Sequence, residues 1–222
     1  MNFSDDNLVV FAHPDDETIY FGGLLVAEIA QRADLLCVTD GNWGGRGIER
    51  RAQLARACES MQVRSLECLG YTDHPVQHLP VAELGTELRR RVEERGYRSV
   101  FTHSAHGEYG SFNHMDVSFA AHQYLTDLVP VYSVADMLFP DFQIELTREV
   151  YEKKLEILSS IYFDEIKNTW RRLRLLPYEG YVRLDPAEAQ AIYRLCTAGE
   201  RPSDEAVPRY RAFLRFLDQP WR

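Results

Sequence analysis

The chain has 222 residues, 45% of them hydrophobic, 12% aromatic and 27% charged. That is the balance of a globular protein of one domain with a full core, not of a disordered or fibrous chain. Its 25 Lys and Arg against 34 Asp and Glu leave a net charge of −9, which repels phosphate backbones and predicts no nucleic-acid binding.

No apolar run reaches the ~18–20 residues of a membrane span. Met1–Asn7 carries two acids and no base, unlike a secretory leader. Cys37, Cys58, Cys68 and Cys196 show no CxxC spacing, and the first three sit in apolar runs, where Cys behaves as a small hydrophobe. Together these predict a reducing, cytoplasmic setting.

Asn7–Ala12 is a continuous apolar run and reads as a buried strand. Thr18–Arg32 has helical spacing, Ala33–Thr39 is a second buried strand, and Asp40–Gly47 is a glycine-rich loop. Ile48–Met61 is a predicted helix with Leu54 and Cys58 at i,i+4, followed by a short strand, Ser65–Leu69, and a loop, Gly70–Pro80. Val81–Arg95 is a helix ended by Gly96, and Ser99–Thr102 is strand four. A long polar loop, Ser104–Asn113, leads to a helix, His114–Leu128, and a fifth strand, Val129–Val134. This alternation predicts an α/β fold: a mostly parallel sheet of about five or more strands, helices on both faces. Residues 137–222 look helical (Leu146–Ile166, Pro186–Cys196, Ala206–Leu217) with a strand at Tyr181–Leu184. They read as a helical cap appended to core residues 1–136 of a single domain. Tyr178–Gly180 and Gly199–Ser203 are its breaks.

In such a sheet, ligands bind beyond the carboxyl ends of the strands, where strand order reverses. The loops after strands one and four commonly flank that point. The first is His13-Pro14-Asp15-Asp16-Glu17. Three consecutive acids at the end of a buried strand repel one another and lose solvation, and a divalent cation compensates both. His13 and Asp16 offer one nitrogen and one oxygen ligand. The competing reading has the acids cap a helix starting near Thr18. The second loop, Thr102–His114, carries His103, His106 and His114. A third ligand from it gives a His2Asp set, which on zinc leaves a position for water. His122, eight positions beyond His114, reads as packed or exposed and not as a ligand.

The motif Ala12-His13-Pro14-Asp15-Asp16-Glu17 resembles the AHPDDE signature of the PIG-L-type (LmbE-like) de-N-acetylases. The resemblance continues through Gly22-Gly23, Thr39-Asp40-Gly41, Gly70–Asp73, Thr102-His103, Gly107–Gly110 and His114, over about residues 7–125. It implies a Rossmann-like sheet and a zinc hydrolase acting on N-acetyl groups, usually of an amino sugar. Matched by position, His13, Asp16 and His114 hold one Zn2+ per chain, or another divalent metal. Asp15 is the general base for the metal-bound water, and Tyr109 helps to stabilise the oxyanion. The implied partner is a small-molecule N-acetylated sugar or glycoconjugate.

Two positions depart from the family pattern. Ser111 stands where the family has a second histidine, and serine cannot protonate a leaving amine at neutral pH. His106 and His103 are the nearby substitutes; His103 reads equally as a structural residue. Arg50 and Gln53 fill places usually held by Arg and Glu, so Arg50 and Ser111 are candidates for substrate binding. The Ser111 change also leaves open a catalytically altered member that binds an N-acetylated sugar or hydrolyses a different amide. An NAD-type enzyme is set aside because the first loop lacks GxGxxG. Arg171, Arg172 and Arg174 read as a helix surface or as contacts for an acidic substrate. Trp43, Trp170, Tyr178 and Tyr181 read as sugar-stacking or core aromatics.

Overall fold

The computed structural model describes residues 5–167 and 176–217. At its centre lies β1 (Asn7–Phe11), buried along its whole length. Successive strand residues face opposite sides of a sheet, so β1 feeds two cores. Val9 and Phe11 join one with Phe21, Leu54 and Phe101. Leu8 and Val10 join the other with Leu84, Leu88 and Val117.

Around β1 run α1 (Asp16–Leu24), β2 (Ala33–Thr39), α2 (Gly47–Met61), β3 (Ser65–Tyr71), α3 (Val81–Arg95), β4 (Ser99–Thr102), α4 (Phe112–Leu125) and β5 (Val131–Val134). Beyond them come β6 (Phe142–Glu145), α5 (Arg148–Ser160), α6 (Phe163–Ile166), β7 (Tyr178–Val182), α7 (Pro186–Ala198) and α8 (Arg211–Leu217). The seven strands form one sheet in the order β3-β2-β1-β4-β5-β7-β6. β1 to β5 are parallel, whereas β7 pairs antiparallel with both β5 and β6. The chain winds outward from β1 through β2 to β3, then restarts at β4 on the other side of β1. The expected mostly parallel α/β sheet is therefore present, and strand order reverses between β1 and β4.

Several elements differ from the sequence reading. The helix expected over Thr18–Arg32 starts at Asp16 and gives way after Leu24 to a π-helical turn, Leu25–Ile29, and a 3-10 turn, Ala30–Arg32. The widened turn keeps Leu25 and Ile29 in the core while the chain enters β2 with no loop between. The helix expected over Leu146–Ile166 starts at Arg148, where the Thr147 side chain accepts the Val150 N–H. It breaks at Ile161 and Tyr162, because the Tyr162 ring turns fully inward and its hydroxyl donates to Glu17 Oε1 at 2.8 Å. Tyr178–Gly180, expected as a break, is instead the start of β7, and β6 is a strand the sequence reading lacks. Among the described residues no helix is long and apolar enough to cross a membrane.

Candidate metal centre

The loop after β1 is fixed to its neighbours before any cation is considered. The Ala12 carbonyl accepts from Thr39 N–H at 2.9 Å and from the Thr39 hydroxyl at 2.8 Å, at the end of β2. Ala12 N–H donates to His103 Nε2 at 3.0 Å, at the end of β4. Asp15 then takes φ 109°, which non-glycine residues seldom adopt. It occupies the N-cap of α1, yet its side chain makes no capping bond. The capping reading thus does not account for Asp15. Across the cleft, Gly41 has φ 62°, and a Cβ there would lie 2.8 Å from Pro14 Cδ. Only glycine lets the β2 loop pass over the first motif so closely.

α4 begins at Phe112, and Ser111 is its N-cap: the Ser111 hydroxyl oxygen accepts the His114 N–H at 3.4 Å. This start delivers the His114 ring to the motif after β1. His13 Nδ1 lies 3.0 Å from His114 Nε2 and 3.3 Å from Asp16 Oδ2, and His114 Nε2 lies 3.3 Å from Asp16 Oδ2. Ligands held tetrahedrally at ~2.0–2.1 Å from zinc are about 3.3 Å apart. The three buried donor atoms therefore form one face of a zinc-sized tetrahedron.

The outer nitrogens of both rings meet carboxylates. His114 Nδ1 lies 2.7 Å from Glu108 Oε2, and His13 Nε2 lies 3.3 Å from Asp73 Oδ1. A carboxylate behind each imidazole fixes its tautomer and makes it a better ligand. Asn113 Nδ2 reaches both His13 Nε2 (3.2 Å) and Asp73 Oδ1 (3.4 Å). His103 stacks on His114 with ring centres 3.8 Å apart and lies 3.3 Å from Asp16 Oδ2, so it buttresses two of the three donors. His103, Glu108 and His114 form a second close set. Its shortest distance, Glu108 to His114 Nδ1, is that of a shared proton.

Asp15 stands beside this cluster, with Oδ2 3.3 Å from Arg50 Nη2. Burial lifts its carboxyl to about 8 against the pull of Arg50, with Asp16 and Glu17 adding to the rise. A dication at the cluster acts in the same sense as Arg50, downward, towards the range of a base working near neutral pH. Arg50, on α2, is largely buried. It also reaches Asp73 Oδ2 (3.3 Å), the Pro14 carbonyl (2.8 Å) and the Gly41 carbonyl (3.2 Å). The Tyr109 ring is exposed and centred 5.2 Å from the His114 ring. Behind Tyr109, Glu108 and Tyr20 opens a cavity of about 490 Å3.

The remaining predicted residues fall elsewhere. His106 is buried, with Nδ1 3.2 Å from the Tyr210 hydroxyl and Nε2 3.2 Å from Asp136 Oδ2. His122 is packed inside, donating from Nδ1 to the Ser118 carbonyl at 2.8 Å. Tyr181 is core and Tyr178 lines the cavity. Trp43 is exposed, its ring centre 5.2 Å from that of His74. Trp170 and the arginines at 171, 172 and 174 lie outside the described residues. The supporting roles of Asp73, Glu108 and Asn113 escaped the sequence reading. Asp73 and Glu108 fall within stretches of the family resemblance, but nothing in those stretches assigns them a role; Asn113 had only its place in the loop after strand four as a signal.

Fold and site together define an α/β protein with a His–Asp–His candidate metal centre at its strand-order reversal. The PIG-L family model, described as GlcNAc-PI de-N-acetylase, matches residues 8–125, just over half of the chain, and the chain belongs to that family. N-acetylglucosaminyl-phosphatidylinositol de-N-acetylase of Bos taurus is 28% identical over 120 residues, covering 51% of this chain and 47% of its own. The chain spans about half the length of the curated relatives it matches. Two solved structures share the fold. N,N'-diacetylchitobiose deacetylase from Pyrococcus horikoshii superposes with TM-score 0.67 at 18% identity, over 82% of this chain and 84% of that one. The zinc-inhibited form of teicoplanin deacetylase Orf2 does so with TM-score 0.64 at 17% identity, over 81% and 99%.

Proposed function

We propose that this chain is a divalent-metal-dependent hydrolase, with zinc as the metal, that removes the acetyl or other acyl group from the nitrogen of an amino sugar or glycoconjugate. The observation that carries the reading is the triangle of His13 Nδ1, Asp16 Oδ2 and His114 Nε2, with edges of 3.0–3.3 Å. Two imidazoles and one carboxylate suit zinc, and three protein ligands leave the open position of a catalytic site. When bound, such a cation lowers the pKa of a coordinated water towards neutrality and polarises an amide carbonyl.

The chain's own groups supply the rest. Asp15, held by Arg50, takes a proton from the attacking water. Once protonated it is the acid that delivers the proton to the departing amine nitrogen. The Tyr109 phenol, protonated at neutral pH, donates a hydrogen bond to the carbonyl oxygen as negative charge develops there. Arg50 orients Asp15 and is the group we assign to a sugar hydroxyl. Both ring nitrogens of His106 already face Tyr210 and Asp136, which favours Asp15 over His106 as the acid. The four free thiols support a cytoplasmic setting.

Ser111 favours a second reading. With its hydroxyl at the α4 cap, no histidine stands at that position, as in a member that binds an N-acetylated sugar or works on a different amide. Acetate release across a panel of N-acetylated sugars, with elemental analysis of unchelated protein, separates the two. The hydrolase reading expects acetate and about one zinc per chain. Asp15→Asn is expected to lose at least about 1,000-fold in kcat with the metal retained. Equal loss of metal makes Asp15 a ligand, and sugar binding without acetate release favours the second reading.

A further inference from the structure

The turn between β4 and α4 carries Glu108, whose carboxylate meets the His114 ring, and Tyr109, whose ring is centred 5.2 Å from it. Glu108 takes φ 50°, in the left-handed region that a non-glycine residue seldom adopts, so its surroundings must hold it there. On its inner side the turn is seated on the start of α4 and closed on itself. Gly107 has φ 71°, and a Cβ there would lie 2.5 Å from the Ser111 carbonyl oxygen. Glu108 N–H donates to the Ser104 hydroxyl oxygen at 2.9 Å, and Glu108 Oε1 accepts the Ser104 N–H at 2.8 Å.

The outer side of the turn rests on the C-terminal part of the chain. Ala105 is buried with Ile192, Val207, Tyr210 and Leu214. His106 is buried against the rings of Tyr210 and Phe213, whose centres lie 5.6 and 5.0 Å from its own. The hydrogen bonds run in one direction. The Tyr210 hydroxyl accepts the Ala105 N–H, and its own fully buried proton has His106 Nδ1, 3.2 Å away, as its acceptor. Nε2 then carries the proton of the neutral imidazole and donates to Asp136 Oδ2 at 3.2 Å. Tyr210 is itself fixed: Glu188 Oε1, on α7, accepts the Arg209 N–H at 2.7 Å and the Tyr210 N–H at 3.3 Å. Asp136, Glu188 and Tyr210 all lie beyond residue 125, where the family match ends.

We propose that His106 is a positioning residue: held by Tyr210 and Asp136, it keeps the turn pressed on α4, so that Glu108 stays behind His114 and Tyr109 stays beside it. The C-terminal part of the chain thereby completes the site from outside the family match. For Glu108 this rests on the candidate metal centre, and for Tyr109 also on the hydrolase reading above.

The test is a pair of double-mutant cycles, which separate an effect carried through one named group from a general loosening of the fold. Tyr210→Phe removes one hydroxyl and keeps the ring. In the first cycle zinc affinity is measured by competition with a chromophoric chelator. Tyr210→Phe is expected to weaken it by at least about threefold, a part of the roughly 10–100-fold that follows loss of a carboxylate behind a ligating ring. Once Glu108→Gln is present, it is expected to change nothing further. In the second cycle, at saturating zinc, kcat for acetate release falls about tenfold with KM unchanged, a part of the roughly 100–1,000-fold that a lost oxyanion donor costs. Tyr210→Phe then adds nothing to Tyr109→Phe. His106→Gln repeats both cycles where Tyr210→Phe does not fold, as judged by circular dichroism. Effects that add in full in either cycle overturn the proposal, as does a zinc affinity that Tyr210→Phe leaves unchanged. Where even the wild type releases no acetate, only the hydrolase reading fails and the zinc cycle decides alone. A wild-type chain that binds no zinc ends the metal-centre reading, and this proposal with it.

Discussion

Asp15 keeps a left-handed backbone at the centre of the site, a conformation that costs a non-glycine residue on the order of 1–3 kcal/mol. Neighbours enforce it: Glu17 Oε2 accepts the Asp15 N–H at 3.0 Å, and Arg50 spans from the Pro14 carbonyl to the Asp15 carboxylate. Strain and a desolvated acid both vanish on substitution by glycine. Asp15→Gly is therefore expected to raise the Tm of metal-free protein by roughly 2–4 °C, about 1 kcal/mol, while abolishing turnover; a thermal melt beside an acetate assay checks both. Glu108 and Asp73 work differently, through the rings they hold. Glu108→Gln or Asp73→Asn is expected to weaken metal affinity by about 10–100-fold with the fold intact, measured by competition with a chromophoric chelator. An unchanged affinity would mean that these carboxylates do not tune the ligands. Asp15 was legible because it sits inside the motif. Glu108 and Asp73 were not, because their use depends on rings 6 and 60 positions away.

At the level of elements, β2 is tied to its neighbours through one acid. Asp34 at its start accepts from Arg64 Nε at 2.8 Å and Nη2 at 2.9 Å, from the Ser65 hydroxyl, and from the Tyr97 hydroxyl at 2.6 Å. Burial alone would raise the Asp34 carboxyl, but these donors outweigh it and hold it at about 2. The folded value lies below the unfolded one near 3.9. Stability from this group is therefore present above about pH 4 and is lost as pH falls towards 2, by about 2 kcal/mol. Asp34→Asn should flatten that part of the pH–stability curve, as read by urea melts between pH 5 and 2; an unaltered curve rules the network out as its source. Long elements such as α2 and α3 were legible because their apolar period is local. β6 was not: four residues alternating Phe142 and Ile144 inward with Gln143 and Glu145 outward are too few to stand out from a helical region.

At the scale of the molecule, the C-terminal part is knit into the sheet. Tyr181 stacks on Phe21 and Phe142 and meets Phe101 edge-on. Glu179 accepts the Gly23 and Leu24 N–H groups at the C-terminal end of α1. A chain cut after residue 136 leaves β5 as a bare edge and those groups buried without partners. We expect it to be insoluble or unfolded by circular dichroism. The intact chain should unfold in one calorimetric transition, as a single domain does; a stable, folded 1–136 fragment would make 137–222 a separable unit.

The sequence by itself determined the alternation of strands and helices, the sheet's central strands and the first acidic motif, because burial on both faces and close spacing are written within short windows. Only the tertiary structure decided the rest. His13 and His114 are 101 positions apart, Glu17 and Tyr162 145, and Gly23 and Glu179 156. No local pattern encodes such pairs. They exist because strand order reverses beside β1 and because β7 and β6 close the sheet over α1, bringing carboxylates and rings to one place.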